Sequence, residues 1–292
     1  MPHAPRLEIA DWRMIAAIAA EGGVTRAAAR FCLSQSALSH RLIKLEAALQ
    51  VRLFDRVGKR LRPTAVFNSA AYTDVDRAET EPEAALAVNA TGAAAVARAA
   101  AAAGAAIVHY STDFVFDGEL ERPYDERDPP SPQGSYARSK IAGDTAVAAA
   151  NPRHFILRVG CLYGQGGRNF PSTIVRRLRA GETVRADRER LGSPTWVRDV
   201  ARVSAKLAGT DLYGLYHCTS QGETSWAAFA SFAAAALGLP AERATGVPTS
   251  ELPMKAPRPR RAILDNRALR LRGLDEMPTW QEALRAFMAE AG

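Results

Sequence analysis

Three residues in the middle of the sequence could deliver a proton to a carbonyl group. Tyr136 and Lys140 are four positions apart, which on a helix places the phenol and the ammonium on one face. The ammonium should lower the pKa of the phenol towards working pH. Thr112 follows a run of β-branched and aromatic residues, Ile107 to Tyr110, which predicts a buried strand. Because α/β sheets place ligand groups at the carboxyl ends of strands, the Thr112 hydroxyl should orient a substrate oxygen beside the phenol.

The sequence around these residues contains two motifs of a known family. Residues 111–118 read STDFVFDG, and residues 136–140 read YARSK. The stretch resembles the dTDP-4-dehydrorhamnose reductase branch of the short-chain dehydrogenase/reductase superfamily, in which STDxVFDG precedes YxxSK. The resemblance implies a 4-keto nucleotide sugar as substrate and NADPH or NADH as reductant. It also implies that Tyr136 donates the proton, and that Lys140 lowers the pKa of Tyr136 and binds the ribose.

Further matches to this family run from residue 65 to the C-terminal region, including VFNSAAYTDVD at 66–76 and GSPT at 192–195. A structural role for Asn89 is an equal alternative to a catalytic one, and Arg258 could pair with a diphosphate or belong only to a solvated basic run. Cys161 stands where the family has a tryptophan, and we interpret it as a packing residue rather than a nucleophile. By the resemblance, the cofactor-binding residues are Ala70, Ala71, Tyr72, Asn89, Ser111, Tyr136 and Lys140, and the substrate-binding residues are Asp113, Val115, Asn169, Pro194, Thr195 and Arg258.

One expected part of a dinucleotide-binding fold is missing from the sequence. Such a fold begins with a strand, a Gly-rich loop and a helix, whose amides and N-terminus bind the pyrophosphate. We find no such stretch, since the Gly-rich residues 164–167 follow a late strand. About two βαβ units, on the order of 60 residues, are therefore absent. The sheet should have lost its first strands, and the remaining strands should gain either a new edge or an unusual neighbour.

The first 64 residues differ from the rest in charge. They hold 11 lysines and arginines against 5 acidic residues, or +6, whereas the remainder holds 27 against 26, or +1. This asymmetry is typical of a nucleic-acid-binding module joined to a near-neutral domain. Helical patterns cover Leu7 to Glu21, Arg26 to Phe31 and Ser34 to Leu49, and a basic wing is predicted over Val51 to Arg62. This spacing is typical of a helix–turn–helix.

Residues 27–56, AAARFCLSQSALSHRLIKLEAALQVRLFDR, followed by LRPTA, resemble the LysR-type winged helix–turn–helix. A plain three-helix cap with a solvated charged face is the alternative. The family normally continues into a long linker helix, which does not follow here, so its usual route to a dimer is not predicted. By the resemblance, the DNA-facing residues are Gln35, Ser36, Ser39, His40, Arg41, Lys59 and Arg60.

Together these features predict an α/β protein in which a winged helix–turn–helix, residues 1–64, is fused to a truncated Rossmann-like parallel sheet, residues 65–292. A small C-terminal substrate lobe should lie mainly after residue 160. The three cysteines are scattered, which argues against a disulfide framework and for a cytoplasmic protein. We predict no signal peptide and no metal site. We also predict no membrane span, because Arg98 interrupts the Ala-rich segment.

Three functions are compatible with the sequence. The leading one is an NAD(P)H-dependent reductase of a 4-keto nucleotide sugar in dTDP-L-rhamnose biosynthesis, with an appended DNA-binding module. The second is a LysR-like transcription regulator whose C-terminal domain senses a nucleotide sugar without turnover. The third is a non-functional fusion. The expected partners are the nucleotide sugar, double-stranded DNA through residues 1–64, and a second copy of the chain in a homodimer.

Overall fold

The computed structural model describes residues 9–49, 52–57, 60–166 and 169–290. The N-terminal part contains three helices and an antiparallel hairpin around an apolar core of its own. Met14, Ile18 and Leu38 are nearly inaccessible in this core. Its elements are α1 (Ile9–Glu21), α2 (Val24–Arg30), α3 (Gln35–Leu49), β1 (Phe54–Val57) and β2 (Arg60–Pro63).

From residue 65 the chain alternates between strands and helices, as the sequence predicts for βαβ units. Residues Ala87–Gly92 form a π-helical turn between the helices α5 (Pro82–Leu86) and α6 (Ala93–Ala102), so that 82–102 is one continuous helical segment. The elements are β3 (Ala65–Asn68), α4 (Val75–Ala78), α5 (Pro82–Leu86), α6 (Ala93–Ala102), β4 (Ala106–Thr112), α7 (Ser135–Ala150), β5 (His154–Val159), β6 (Leu162–Tyr163), α8 (Phe170–Arg179), β7 (Val184–Asp187), β8 (Leu191–Gly192), β9 (Thr195–Trp196), α9 (Val197–Ala208), β10 (Gly214–His217), β11 (Thr224–Ser225), α10 (Trp226–Ala236), β12 (Ala244–Val247), α11 (Arg267–Leu271) and α12 (Trp280–Glu290).

The main sheet has four parallel strands in the order β10-β5-β4-β3. Side chains alternate between its two faces, as the period of a strand requires. On one face Val108 and Leu157 pack against α9 through Val203. On the other face Ile107 and Ile156 pack against α6 and α7. The sheet is therefore covered on both faces, which is how parallel sheets are built.

Strand β3 lies at the edge of this sheet. Among the described strands it pairs only with β4, and the Phe67 side chain is 45% exposed. The prediction that the sheet has lost its first strands and gained a new edge is therefore confirmed for the described residues. The hairpin strand β2 ends at Pro63 and β3 begins at Ala65, so that Thr64 connects the N-terminal part to the main sheet. Its amide donates to the Leu53 carbonyl, while its own carbonyl accepts from the Ala106 amide.

A smaller lobe follows the sheet in sequence. It consists of paired short strands, β7 with β12, β8 with β11, and β6 with β9. Helices α8, α10 and α12 pack around an apolar core in this lobe that includes Trp196, Phe229, Trp280 and Phe287. The first strand of this lobe is β6, which begins at Leu162.

One helical segment among the described residues, 82–102, is long and apolar enough by length and composition to cross a membrane. Our expectation that Arg98 excludes any such segment is therefore wrong. In the structure Ala93, Ala97 and Ala100 of this segment are buried against the sheet. Leu86 and Val88 of the same segment are exposed, so only one face of it packs on the sheet.

Candidate active site

The carboxyl end of β4 presents the first predicted site residues. Ser111 and Thr112 are both buried there. The Thr112 hydroxyl accepts from the Phe114 amide at 3.2 Å and donates to an Asp113 carboxylate oxygen at 3.0 Å. These bonds fix the hydroxyl at the point where the strand turns into the next loop. The Ser111 hydroxyl instead donates to Asp144 at 2.8 Å.

Tyr136 is the second residue of α7, and its half-buried side chain lines the large cleft described below. Burial raises the pKa of Tyr136 to about 12, while an interaction with the Thr112 hydroxyl acts in the opposite direction. The pKa of Tyr136 thus shifts in the direction opposite to the one we predicted, because desolvation of the phenolate is the dominant effect. At neutral pH Tyr136 therefore holds its proton and can act as an acid.

Lys140 lies one turn after Tyr136 on the same helix, as its spacing predicts. It is only 2% exposed, and its Nζ donates to the Tyr110 carbonyl at 2.6 Å. Burial lowers the pKa of Lys140, and the nearby carboxylate of Asp144 partly offsets this effect. The ammonium is thus anchored to β4 below the phenol.

Asp144 is a residue that the sequence analysis missed. It continues the row of Tyr136 and Lys140 by one more turn, and that spacing could have revealed it. Arg158 and His109 approach its carboxylate at 3.6 and 3.8 Å, and all three side chains are buried. Burial lowers the pKa of His109 to about 3, so its imidazole is neutral. The layer beneath Lys140 is therefore polar and buried.

Asn89 joins the catalytic helix to the loop after β3. It lies in the π-helical turn and is 1% exposed. Its side chain accepts from the Tyr72 amide at 2.8 Å, and donates to the Tyr72 carbonyl at 3.1 Å and to Ser139 at 2.9 Å. At the same crossing, a Cβ on Gly143 would lie 2.1 Å from the Asn89 carbonyl oxygen. The structure therefore supports the structural alternative for Asn89.

The N-terminus of α7 is capped by a residue from a distant part of the sequence. Gly134 makes no side-chain cap, and the carboxylate of Glu79 accepts instead from the Ser135 amide at 2.6 Å. A negative charge at this position also interacts favourably with the helix dipole. Glu79 thus helps to position Tyr136, and no local sequence signal could have predicted this contact.

The predicted catalytic residues line one cleft of about 720 Å³ at the carboxyl ends of the main strands. A neighbouring cavity of about 380 Å³ shares part of its wall, including Asp113, Cys161 and Trp226. Of the predicted site residues, these two walls contain Ala71, Ser111, Thr112, Asp113, Tyr136, Lys140, Asn169 and Arg258.

The remaining predicted ligand contacts lie elsewhere. Ala70 and Tyr72 are next to Ala71 but do not contribute to either wall. Val115 is fully buried in an apolar cluster behind the loop. Pro194 is buried, and the hydroxyl of the inaccessible Thr195 bonds to the Ser193 carbonyl. Since the last three side chains are enclosed by the protein, the structure does not support a direct contact with substrate for them.

Each of two arginines in the wall of the smaller cavity is held by an aspartate. Arg258 donates to both oxygens of Asp76, at 2.8 and 3.0 Å, and this ion pair strongly lowers the pKa of Asp76. Arg190 bonds to Asp187 at 2.6 Å. The pairs pre-orient the two guanidinium groups towards the cavity. Arg258 is therefore not part of a merely solvated run.

Cys161 occupies an unusual position between the two cavities. Its φ of 50° lies in the left-handed region, which non-glycine residues rarely adopt. Its sulfur packs against Gly192, where an added Cβ would lie 2.7 Å away. Burial raises the pKa of the Cys161 thiol well above its usual value, which argues against a thiolate nucleophile and supports the interpretation as a packing residue.

The predicted DNA-facing residues lie mostly at the N-terminal end of α3. Gln35, Ser36 and His40 are exposed there, and Ser39 is half-buried. Arg41 is held in an ion pair with Asp11 at 2.7 Å. Lys59 lies outside the described residues, as does the side chain of Arg60.

The larger cleft has two sides that differ in construction. The closed side consists of β4, β5 and α7, with Thr112, Tyr136 and Lys140. The open side consists of the edge strand β3 and residues 69–75. The closed side fits the nicotinamide and ribose of a nicotinamide cofactor, because it offers apolar walls, a phenol and one ammonium. The open side does not fit a pyrophosphate, since the described residues there include no Gly-rich loop that opens a helix.

A parallel sheet that carries Thr112, Tyr136 and Lys140 at its carboxyl end defines a protein of the short-chain dehydrogenase/reductase type. A family model described as "RmlD substrate binding domain" matches residues 24–292. The dTDP-4-dehydrorhamnose reductase of Burkholderia thailandensis is 36% identical over 245 residues, covering 78% of this chain and 82% of that protein. That of Streptomyces griseus is 40% identical over 240 residues, covering 79% and 78%.

A solved structure of this family is also similar to the present chain in three dimensions. The dTDP-4-dehydrorhamnose reductase of Bacillus anthracis, in complex with NADP, matches with a TM-score of 0.75 at 35% identity, over 86% of this chain and 85% of that chain. The chain belongs to the dTDP-4-dehydrorhamnose reductase family. The resemblance of residues 1–64 to LysR-type proteins remains a prediction.

Proposed function

We propose that the chain reduces the 4-keto group of a dTDP-linked sugar, dTDP-4-dehydrorhamnose, with NADPH or NADH as reductant. The observation that carries this proposal is the convergence of Thr112, Tyr136 and Lys140 in one cleft of a member of this family. The names of the relatives support the substrate, and the complex of the Bacillus anthracis reductase with NADP supports the cofactor class.

The side chains of the closed side account for the proton transfer. The nicotinamide ring, when bound, supplies the hydride. The Thr112 hydroxyl turns its proton from Asp113 to the carbonyl oxygen of the substrate, and Tyr136 donates its own proton to that oxygen as negative charge develops. Because burial raises the pKa of Tyr136 to about 12, the phenol is protonated before the reaction. Lys140 keeps α7, and with it Tyr136, in place through its hydrogen bond to the Tyr110 carbonyl.

The smaller cavity accounts for recognition of the nucleotide part of the substrate. Arg190 and Arg258 present two guanidinium groups there, each already oriented by an aspartate. Arginine forks match phosphate oxygens well. The shared wall between the cavities would place a sugar on the diphosphate next to Tyr136.

The test is turnover by the full-length protein with dTDP-4-dehydrorhamnose and each reduced cofactor, with product identified by mass spectrometry. Tyr136→Phe should reduce the rate about 10²–10⁴-fold. Tyr213→Phe, a matched change outside the cleft, should leave it unchanged. Activity no higher than the enzyme-free blank, in folded protein, would contradict the proposal.

A second candidate function is DNA binding by the N-terminal part. It is favoured by the exposure of Gln35, Ser36 and His40 at one end of α3 and by the +6 charge of residues 1–64. Polar side chains at this place can reach base edges and phosphates. The resulting protein would be either an enzyme with a DNA-binding module or a regulator that senses a nucleotide sugar.

This second proposal can be tested by fluorescence anisotropy with duplex DNA at several salt concentrations. Affinity should fall steeply as salt increases. The double substitution Gln35→Glu and His40→Glu should weaken binding, whereas Glu242→Gln, in the distant lobe, should not. Binding that is unaffected by the double substitution would contradict a role for α3.

A further inference from the structure

The open side of the cleft lacks what a dinucleotide needs for its far half. In dinucleotide-binding sheets the pyrophosphate rests on a Gly-rich loop at a helix N-terminus, next to the central strands. Here the described part of the sheet ends at β3. On the other side of the cleft, α8 presents Asn169, Phe170 and Pro171, and the Asn169 side chain caps that helix.

The charge of the cleft leads to the same conclusion. A dinucleotide carries at least two negative phosphate charges, and NADPH carries a further phosphate. Among the described residues that line the larger cleft, Lys140 is the one cation. Its ammonium is buried and bonded to the Tyr110 carbonyl, so it faces the catalytic centre and not the open side. Arg190 and Arg258 line only the neighbouring cavity, on the lobe side.

The closed side, by contrast, offers contacts for both the nicotinamide ring and its ribose. Tyr136 and Lys140 can hold the hydroxyls of one ribose. Val159 and Leu162 provide apolar surface for a flat ring. This half is anchored by the buried Asp144 layer and does not depend on the missing strands.

We infer that this cleft recognises the nicotinamide–ribose end of a reduced nicotinamide cofactor and gains nothing from the adenylate end. Reduced nicotinamide mononucleotide should therefore bind as tightly as NADH and NADPH. The inference relies on the proposed function only in assigning a nicotinamide to this cleft. It also predicts that the 2′-phosphate, which distinguishes NADPH from NADH, makes no difference to affinity.

The experiment measures binding of the three ligands to the full-length protein without sugar, by nicotinamide fluorescence and by calorimetry. The three dissociation constants should agree within about threefold. The reductase of Bacillus anthracis serves as a control, in which loss of the adenylate half should weaken binding by about 100-fold or more. A preference of the present chain for NADPH over the mononucleotide of about tenfold or more would overturn the inference.

Two matched substitutions complete the test. Lys140→Met should weaken all three ligands by the same factor, because it removes a contact that they share. Lys206→Met, on the outer side of α9, should change none of them. A selective loss of NADPH binding in Lys140→Met would overturn the inference, as would the absence of binding by any of the ligands up to millimolar concentration. An absence of turnover with equal binding would instead count against the proposed reaction alone.

Discussion

Phe67 and Phe155 are two copies of one residue type on the same face of the same sheet, and they have different surroundings. Both are in register with Val108, which lies between them on β4. Phe155 is completely buried under α9 and its neighbours. Phe67 is 45% exposed on the edge strand. A sequence pattern would treat the two positions alike. Phe155, however, lies in a covered part of the sheet, whereas Phe67 lies on its exposed edge.

The same difference separates the two sides of the cleft. The closed side has a second layer of buried polar groups around Asp144, which holds the catalytic helix in place. The open side depends on Asn89 and Glu79, two side chains that connect it to that helix. A fold can thus keep its proton-transfer residues in place while it lacks the strands that would hold the other half of a cofactor.

The largest expected effect on stability comes from truncating the two phenylalanines. Phe155→Ala should lower the free energy of unfolding by about 3–5 kcal/mol, because it leaves a cavity in the core. Phe67→Ala should lower it by less than about 1 kcal/mol, since its ring is already partly in water. Urea denaturation followed by tryptophan fluorescence measures both. Equal losses would mean that the edge of β3 is covered in solution, for example by another chain.

Asp113 provides a test of the closed side through pH. Burial raises the pKa of this carboxyl to about 7 in the folded protein, from an ordinary value of 3.8. Between these values the unfolded chain is ionised while the folded chain holds the proton, so stability falls as pH rises and the loss is complete above about pH 7. Asp113→Asn removes this loss. Relative to wild type, the variant should therefore gain roughly 2 kcal/mol more at pH 8 than at pH 5.

The control for this measurement is Asp211→Asn, an exposed carboxyl on the surface. Its effect on the free energy of unfolding should be small. A gain from Asp113→Asn that stays constant between pH 5 and 8 would show that the closed side admits water to this carboxyl. The closed side would then not be as dry as its packing indicates.

The features of this site that could be predicted from the sequence are those determined by residues close together in the chain. The strand before Thr112, the spacing of Tyr136 and Lys140, and the loss of strands beyond β3 all follow from patterns within short segments. The raised pKa of Tyr136 could not be predicted in this way, because burial by distant segments determines it. The contact between Glu79 and Ser135 spans 56 positions and leaves no trace in either local sequence. Asp144 is an intermediate case, since its spacing was visible but its partners were not.

Asn89 tests whether the open side depends on the closed side. Asn89→Ala removes three hydrogen bonds and leaves the Tyr72 amide and carbonyl without these partners. The free energy of unfolding should fall by about 2–3 kcal/mol. Hydrogen exchange should become faster in residues 69–74. Asn151→Ala, at an equally buried asparagine after α7, should also destabilise the protein but leave exchange in residues 69–74 unchanged.

Glu79 gives the smallest expected effect and the most specific one, since its carboxylate crosses from the β3 side to the first turn of α7. Glu79→Ala should cost about 1 kcal/mol through the lost helix cap. Glu79→Gln, which keeps an acceptor but loses the charge, should cost about 0.5 kcal/mol. Glu83→Ala, at an exposed acid on α5, should have an effect within about 0.5 kcal/mol of zero. If Glu79 only stabilises the helix, all three ligands should still bind equally in Glu79→Ala. If the open side contributes to the ligand site, loss of this contact should weaken NADPH more than the mononucleotide, and the two sides of the cleft would then not be independent.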